Sequence, residues 1–316
     1  MVYLHLLAGL ALLLASGEFL VRGSVAVATR LGVSPLFIGL TLIGFGTSSP
    51  ELMASVIAAL EGSPGIAVGN VVGSNIANIL LILGVAASIR AVPTAGGAYR
   101  RDSWMMMLAS VLLAGAVALG QIDRIPGLLL LVTLVTYIAV TFRIERDHAD
   151  AGSAMHEAEA QSHAPPPGWS LATAIGVTVA SLAGVMGGAA LLVNSAIELA
   201  REFGVAETVI GLTMVAIGTS LPELVVSAIA AIRGQGEVAV GNILGSNIYN
   251  VLFILGVTAL IHPIAIPTEE LVPDVGVVLG SATILIALIA TGRPIGRLIG
   301  AGFLVAYVAY ITAVVL

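Results

Sequence analysis

The amino-acid sequence predicts an all-α membrane protein built from two related halves of five helices each. Its 316 residues are 58% apolar and only 9% charged, with a mean hydropathy of +1.09, whereas soluble domains carry about 25% charged residues. Residues 39–84 recur without a gap as residues 211–256, and about 27 of the 46 positions are identical, which shared apolar composition does not explain. A duplicated, strongly apolar chain is typical of helical membrane proteins with internal repeats.

Ten apolar stretches supply the roughly 20 residues that a helix needs to cross the hydrocarbon core. The predicted spans cover residues 2–28, 34–60, 65–89, 102–120, 125–143, 169–201, 206–232, 236–261, 270–291 and 295–316. The first stretch lacks a basic leading region and a cleavage site, so we interpret it as a retained helix and not as a signal peptide. Within it, Glu18 and Arg22 stand four residues apart and are expected to form a structural ion pair.

One long polar stretch, residues 144–168, separates the two sets of five spans and divides the chain into units 1–143 and 169–316. It is rich in acidic residues and histidines and ends in three consecutive prolines. This composition is typical of a flexible linker, which we expect to lie in the cytoplasm.

The arginines predict the orientation of the chain in the membrane. Loops after odd-numbered spans contain Arg30, Arg90, Arg100, Arg101, Arg143, Arg146, Arg233, Arg293 and Arg297, whereas loops after even-numbered spans contain only Arg124 and Arg201. Because basic residues favour the cytoplasmic side, the odd loops are predicted inside and both termini outside. Five spans are an odd number, so the second half is predicted to be inverted relative to the first.

Each copy of the repeat places one carboxylate in an apolar motif, at Glu51 and Glu223, with no arginine or lysine beside it. An ionised carboxylate in hydrocarbon costs several kcal/mol unless it is compensated, and a bound cation is the simplest compensation. Matched oxygen-bearing residues accompany the two glutamates. They are Thr47 and Thr219, Ser48 and Ser220, Ser74 and Ser246, and Asn78 and Asn250.

Helix-breaking residues surround these positions. Pro50 and Pro222 cannot donate a backbone hydrogen bond, so the helices are expected to break nearby and to free carbonyl oxygens around residues 46–47 and 218–219. Gly69, Gly73, Gly241 and Gly245 serve either close helix packing or a further break. Within each copy, Ser48 and Glu51 share one helical face if the helix continues, as do Ser74 and Asn78.

The predicted ligand set contains carboxylate, amide, hydroxyl and carbonyl oxygens. Such hard ligands suit sodium, calcium or magnesium and not zinc or copper. Calcium accepts six to eight irregularly placed oxygens, which a broken-helix site can supply. Two carboxylates balance one divalent ion or two monovalent ions, so calcium and sodium can compete for one site.

The paired motifs GTSSPEL with GNVVGSNIANILLILG, and GTSLPEL with GNILGSNIYNVLFILG, resemble the two alpha-repeats of the cation/calcium exchanger superfamily, in its prokaryotic sodium/calcium exchanger branch. The resemblance implies that Glu51 and Glu223 are shared by calcium and sodium. It also implies that Ser74 and Ser246 coordinate sodium, and that the matching threonines, serines and asparagines complete the cluster. Proton-coupled members carry a GNATE-like sequence at this motif, and potassium-dependent members carry an aspartate where this chain has Asn250.

The resemblance implies an antiporter of the cell membrane that exchanges sodium for calcium by alternating access, with sodium entry driving calcium extrusion. The ions are substrates, and we expect no cofactor, no enzymatic activity, no nucleic acid and no obligate protein partner. The alternatives are a proton-coupled or other cation exchanger of the same fold and a cation channel. An intramembrane hydrolase is disfavoured because the repeat cores contain no histidine or lysine to act as a base for serine.

Overall fold

The computed structural model describes residues 2–161, 169–202 and 216–315, and this part of the chain is almost entirely helical. Its helices are α1 (Val2–Leu31), α2 (Pro35–Thr47), α3 (Ser49–Leu60), α4 (Pro64–Ile89), α5 (Gly97–Leu119), α6 (Arg124–Gln161), α7 (Leu171–Glu202), α8 (Ala216–Thr219), α9 (Leu221–Ile232), α10 (Gly236–Ile261), α11 (Thr268–Ala290) and α12 (Arg297–Val315). Wider π-helical turns occur at Gly39–Ile43 in α2, Ala77–Ile82 in α4 and Asn250–Leu255 in α10.

Eight of the described helices are long and apolar enough to cross a membrane, and the bent pair of α2 and α3 adds a ninth span. The predicted span at 206–232 lies partly outside the described residues, and α8 and α9 are its described part. The outward faces of the helices carry large apolar side chains, for example Leu128, Val132 and Val135 on α6. Such a surface is stable in lipid and not in water, so the chain is an integral membrane protein.

The segment predicted as a linker differs from the structure at its start. Helix α6 does not end at residue 143 but continues to Gln161, because five of the 18 residues that follow are alanine and three are glutamate, and both residue types favour helices. Glu145 belongs to the packed bundle: its carboxylate contacts the Arg101 guanidinium at 3.3 Å and accepts a hydrogen bond from the Ser34 backbone at 3.2 Å. Residues 162–168 of the predicted linker lie outside the described residues.

Helix α5 begins at Gly97, five residues before its predicted start, and this brings Asp102 into the protein interior. The Asp102 carboxylate pairs with Arg101 at 2.6 Å and accepts a hydrogen bond from the Tyr137 hydroxyl at 2.7 Å. A buried carboxylate with these two partners is compensated within the protein, so it needs no bound ion.

Two short extended contacts interrupt the helical architecture. Gln121–Ile122 pairs antiparallel with Ile264–Ala265, and Val92 forms an isolated bridge with Ile295. The first contact joins the loop after α5 to the loop after α10, and the second joins the loops before α5 and α12. Each contact therefore connects two loops that the arginine pattern places on the same side of the membrane.

Helices α4 and α10 are the most deeply buried spans, and small residues allow α2 to pack closely on α10. A Cβ atom at Gly241 would overlap the Leu36 carbonyl oxygen, and one at Gly245 would overlap the Leu40 carbonyl oxygen. These two glycines therefore serve close helix packing, the first of their two predicted roles.

Helices α1 and α7 pack along each other, and glycines again permit the contact. A Cβ at Gly9 would lie 2.7 Å from the Leu192 backbone nitrogen, and one at Gly188 would lie 2.6 Å from the Leu13 nitrogen. The predicted ion pair between Glu18 and Arg22 is present in α1. Glu18 also contacts Arg233, which follows α9, at 2.6 Å, so this carboxylate joins α1 to the bundle.

Candidate functional site

The site begins where two helices are interrupted at matching serines. Ser48 separates α2 from α3 with φ −80° and ψ 5°, and Ser220 separates α8 from α9 with φ −89° and ψ 4°. The axes of α2 and α3 differ by 41°. Pro50 and Pro222 lie in the first turns of α3 and α9, where a missing backbone N–H costs little and the fixed φ favours a helix start. The prolines thus start new helices at the predicted breaks.

Each new helix begins with the glutamate predicted to bind cations. Glu51 lies in the first turn of α3 and Glu223 in the first turn of α9, and both are 1% exposed. The positive end of each helix dipole favours a carboxylate at this position. Among the described residues no basic group forms an ion pair with either glutamate. Each glutamate, when ionised, therefore carries a negative charge that no described basic side chain balances.

The two halves of the repeat exchange hydrogen bonds at this point. The Ser48 hydroxyl donates to Glu223 Oε1 at 3.3 Å, and the Ser220 hydroxyl donates to Glu51 Oε1 at 3.2 Å. The Ser220 and Ser74 oxygens are 3.5 Å apart. Ser48 and Glu51 were expected to share a helical face only if the helix continued, and this condition is not met, because α2 ends at Thr47 and α3 begins at Ser49.

A second pair of matched contacts holds each helix start against its neighbour. The Asn70 side-chain amide donates to the Glu51 carbonyl at 3.1 Å and to Ser55 Oγ at 2.9 Å. The Asn242 amide likewise donates to the Glu223 carbonyl at 3.3 Å and to Ser227 Oγ at 3.0 Å. These contacts fix the backbone of both glutamates, so the positions of the carboxylates are set by α4 and α10.

Several buried oxygens in this region have no hydrogen-bond partner. Buried polar atoms are almost always paired, so a group of unpaired ones calls for an explanation. Those in the repeat motifs are Glu51 Oε2, Asn78 Oδ1, Glu223 Oε2 and Asn250 Oδ1. All of them can accept, and together with two carboxylate charges they fit a dehydrated cation.

The remaining predicted residues occupy the same helices. The Thr47 hydroxyl is fully buried and lies 3.1 Å from the Ile43 carbonyl and 3.2 Å from Asn242 Oδ1. Thr219 interacts through its side chain with Glu51. Asn78 and Asn250 lie in the π-helical turns of α4 and α10, and such turns are frequent at functional sites because they shift the side-chain register.

Sequence reasoning did not assign a role to the side chains that support the site. Asn70, Asn242, Ser55 and Ser227 hold the glutamate backbones, and Asn75 contacts Asn250. Each of these residues is identical in both copies of the repeat. A search for every polar residue shared by the two copies would have found them.

The chemistry available here is cation binding. No group of three or more His, Cys, Asp or Glu residues suited to a metal occurs within the described ranges. Ser48 and Ser220 contact carboxylates, and Ser220 also contacts the Ser74 hydroxyl. The sequence contains no lysine that could act as a base for a serine nucleophile. A buried site of hard oxygens within a helical membrane bundle is the arrangement found in ion transporters.

Comparisons with known proteins agree with this class and narrow it. The family model described as sodium/calcium exchanger protein matches residues 1–143 and 173–316. The chain therefore belongs to the sodium/calcium exchanger family. The two matched segments fall on either side of the stretch that separates the halves of the repeat.

Individual relatives are similar over nearly their whole lengths. The putative antiporter CaxA of Alkalimonas amylolytica is 35% identical over 311 residues, covering 97% of this chain and 96% of the relative. The sodium/calcium exchanger MaX1 of Methanosarcina acetivorans is 33% identical, covering 98% and 97%. A structure of the sodium-calcium exchanger NCX_Mj, soaked with 2.5 mM Na⁺ and 0.1 mM Ca²⁺, superimposes with a TM-score of 0.84 at 30% identity, covering 98% and 97% of the two chains.

Proposed function

We propose that this protein is a secondary active antiporter that exchanges sodium for calcium across the cell membrane, with sodium entry driving calcium extrusion. The observation that carries the proposal is the buried cluster around Glu51 and Glu223, in which matched hydroxyls cross between the two repeats and each carboxylate keeps one oxygen without a partner. Family membership and the printed name of MaX1 support the choice of ions.

The two glutamates supply the charge that replaces the hydration of the ions. A calcium ion is balanced by both carboxylates, and two sodium ions balance them equally well, so the same residues serve both substrates in turn. The neutral oxygens complete the coordination. We assign this role to Thr47, Ser48, Ser74, Asn78, Thr219, Ser220, Ser246 and Asn250.

The need to compensate the two buried carboxylates gives a physical reason why calcium and sodium would be exchanged and why neither ion would cross alone. With the site empty, two buried carboxylates are uncompensated, and this state is costly in a low-dielectric interior. A conformational change that switches access to the site from one side of the membrane to the other is therefore favoured only with ions bound. Calcium in one direction and sodium in the other are then coupled through a shared pair of charges.

The proposed topology has ten spans in two inverted units, both termini outside, and a cytoplasmic segment between the units. The loop pairings support this arrangement, because each one joins loops assigned to the same side. The contact of Glu145 with Arg101 and Ser34 likewise joins three segments assigned to the cytoplasm. Inverted repeats permit alternating access, since the two halves can exchange conformations around a fixed site.

Flux measurements with separate gradients test the proposal. The purified protein is reconstituted into sodium-loaded liposomes, and uptake of radioactive calcium is followed while the sodium, proton and potassium gradients are varied one at a time. We expect uptake that saturates with calcium and requires sodium inside. The Glu51→Gln variant, expected to be inactive, provides the matched control.

Other outcomes distinguish the rival functions. Uptake driven by a proton gradient and indifferent to sodium would identify a proton-coupled exchanger of the same fold, a class consistent with the name of CaxA, which specifies only an antiporter. Calcium flux that proceeds without any counter-ion and does not saturate would identify a channel. Either result would contradict sodium-driven exchange.

A further inference from the structure

The interface between α4 and α10 contains an asymmetric pair of amides. Asn75 and Asn247 occupy matching positions in the two repeats, as do Asn78 and Asn250. The Asn250 amide nitrogen donates to Asn75 Oδ1 at 3.0 Å. Asn247 instead donates to the Ile243 carbonyl of its own helix at 2.7 Å. Thus the Asn75 side chain accepts a hydrogen bond across the interface, whereas the Asn247 side chain donates within its own helix.

The direction of these hydrogen bonds is determined by a backbone group. An asparagine side chain has a donor end and an acceptor end, and either can face a neighbour. Asn75 Nδ2 lies 3.5 Å from the Asn247 carbonyl oxygen, which can only accept. Asn75 therefore presents Oδ1 to Asn250, and Asn250 must answer with its nitrogen. Its own Oδ1 then points away from Asn75.

This arrangement leaves the side-chain oxygen of Asn250 available as an acceptor. Asn250 Oδ1 is buried and has no hydrogen-bond partner. Ser246 lies one helical turn earlier on α10, joined by the bond from the Asn250 backbone N–H to the Ser246 carbonyl, and its side chain interacts with Glu223. The unpaired Asn250 oxygen therefore lies on the same face of α10 as a residue that contacts a carboxylate of the site.

We propose that Asn75 is a positioning residue that orients the Asn250 amide so that its oxygen, and not its nitrogen, is available to the transported cation. The inference rests on the proposed function and adds a residue to it. An amide binds a cation only through oxygen, and the reversed amide would direct two N–H groups at a positive charge. Because Asn250 is neutral, it can bind a cation only when its side-chain oxygen faces the ion.

A carboxylate at the same position would not need to be oriented. Both oxygens of an aspartate accept, and neither donates. In an Asn250→Asp background, Asn75 has no amide to direct, and its Oδ1 faces another acceptor. The contribution of Asn75 to cation binding should therefore disappear in that background, whereas a contribution to packing would persist.

A double-mutant cycle tests the proposal. Calcium binding by purified protein is measured by equilibrium dialysis in sodium-free buffer for the unmodified chain, Asn75→Ala, Asn250→Asp and the double variant. We expect Asn75→Ala to weaken calcium binding about tenfold or more, the range typical of residues that orient metal ligands. In the Asn250→Asp background the same substitution should change the affinity by about twofold or less, since the orientation has no effect there.

Asn247→Ala is the matched control. It removes a buried asparagine of the same size from the corresponding position, but one whose side chain donates to the Ile243 carbonyl of its own helix. We expect it to change calcium affinity much less than Asn75→Ala. Asn75→Leu, which fills the space without providing an acceptor, replaces Asn75→Ala if the smaller side chain prevents folding, as judged by gel filtration and thermal unfolding.

Two results would overturn the proposal. Equal losses of affinity on removing Asn75 in both backgrounds would assign it to packing. An unchanged affinity in Asn75→Ala would show that Asn250 needs no orientation. Failure of the proposed function is seen separately, as absent sodium-dependent calcium flux in liposomes of the unmodified protein, because the cycle itself measures only binding.

Discussion

At the scale of single residues, the proposed function depends on two glutamates that lie at the starts of helices. Glu51 and Glu223 are almost completely buried, yet each has one carboxylate oxygen without a hydrogen-bond partner among the described residues. Their helix dipoles and serine donors reduce the cost of burial without removing the charge. We expect a site with this unbalanced charge to be stabilised by bound cations.

We therefore expect Glu51→Gln and Glu223→Gln each to abolish calcium exchange. Loss of one charge from a buried ion cluster costs about 3–5 kcal/mol, which is a loss of more than 100-fold in affinity. Calcium flux into sodium-loaded liposomes measures the effect, and Glu61→Gln, at an exposed position after α3, is the control. Exchange near the unmodified rate in either variant would remove that residue from the site.

The same variants should also change the stability of the protein. Calcium binds the folded chain and should raise the midpoint of thermal unfolding, whereas Glu51→Gln and Glu223→Gln should lose most of this response. A calcium response as large as that of the unmodified protein would contradict the assignment.

The crossed serines provide a separate test. Ser48→Ala and Ser220→Ala each remove a hydroxyl that donates to the glutamate of the opposite repeat. A hydrogen bond to a charged group contributes about 1.5–3 kcal/mol, so calcium affinity should fall about tenfold or more in both variants. Equilibrium calcium binding gives the measurement.

Ser49→Ala is the control for these variants, because the Ser49 hydroxyl donates to the Phe45 carbonyl four residues earlier in the same repeat. It should bind calcium as the unmodified protein does. A loss in Ser49→Ala as large as in Ser48→Ala would show that the effect is not specific to the crossed hydrogen bonds.

At the scale of helices, the site depends on how closely α2 lies on α10. Gly241 and Gly245 face the carbonyl oxygens of Leu36 and Leu40 with no room for a side chain. Backbone atoms cannot move aside as a flexible side chain can, so an added methyl group must separate the helices. Helix α2 ends at Thr47 and α10 carries Ser246 and Asn250, so separation would widen the site.

Gly245→Ala is accordingly expected to destabilise the protein by about 1–3 kcal/mol, the usual cost of overpacking, and to weaken calcium binding. Thermal unfolding and calcium binding in detergent give the two measurements. Gly115→Ala provides the control, since Gly115 is exposed on α5 and has open space where the methyl group would lie. Unchanged stability of Gly245→Ala would contradict the close packing described here.

At the scale of the whole molecule, the two repeats are joined by reciprocal contacts. Ser48 and Ser220 cross to the opposite glutamate, whereas Asn70 and Asn242 each hold the helix start of their own repeat, with matching geometry. Such duplicated geometry suits a transporter whose two halves alternate in opening the site. A transporter of this kind requires the second half of the chain to be inverted relative to the first, as proposed above.

Cysteine labelling tests the inversion directly, because the chain contains no cysteine. Glu61 and Arg233 occupy matching positions in the two copies, after α3 and α9, and both are exposed. In sealed, right-side-out vesicles we expect a membrane-impermeant maleimide to label Glu61→Cys, and to label Arg233→Cys only after permeabilisation. Labelling of both from the same side would contradict an inverted repeat.

Much of the fold was predictable from the sequence. Apolar length predicted the spans that the structure describes, and the duplicated motifs predicted two helix breaks at the serine and proline positions. Errors occurred at boundaries, where α6 continues beyond residue 143 and α5 begins at Gly97. Hydropathy responds to the lipid-facing part of a helix, so it does not detect helical residues that continue beyond the membrane or pack within the protein.

The sequence by itself determined which residues were candidates for the site, since a carboxylate in an apolar motif requires compensation and its duplication excludes accident. Only the tertiary structure decided which side chains meet. Ser48 donates to Glu223 and not to Glu51. Asn75 accepts from Asn250, whereas Asn247 donates to a carbonyl of its own helix. The physical reason is that sequence spacing records neighbours on one helix, whereas contacts between helices far apart in the chain depend on where each helix breaks and how closely it packs.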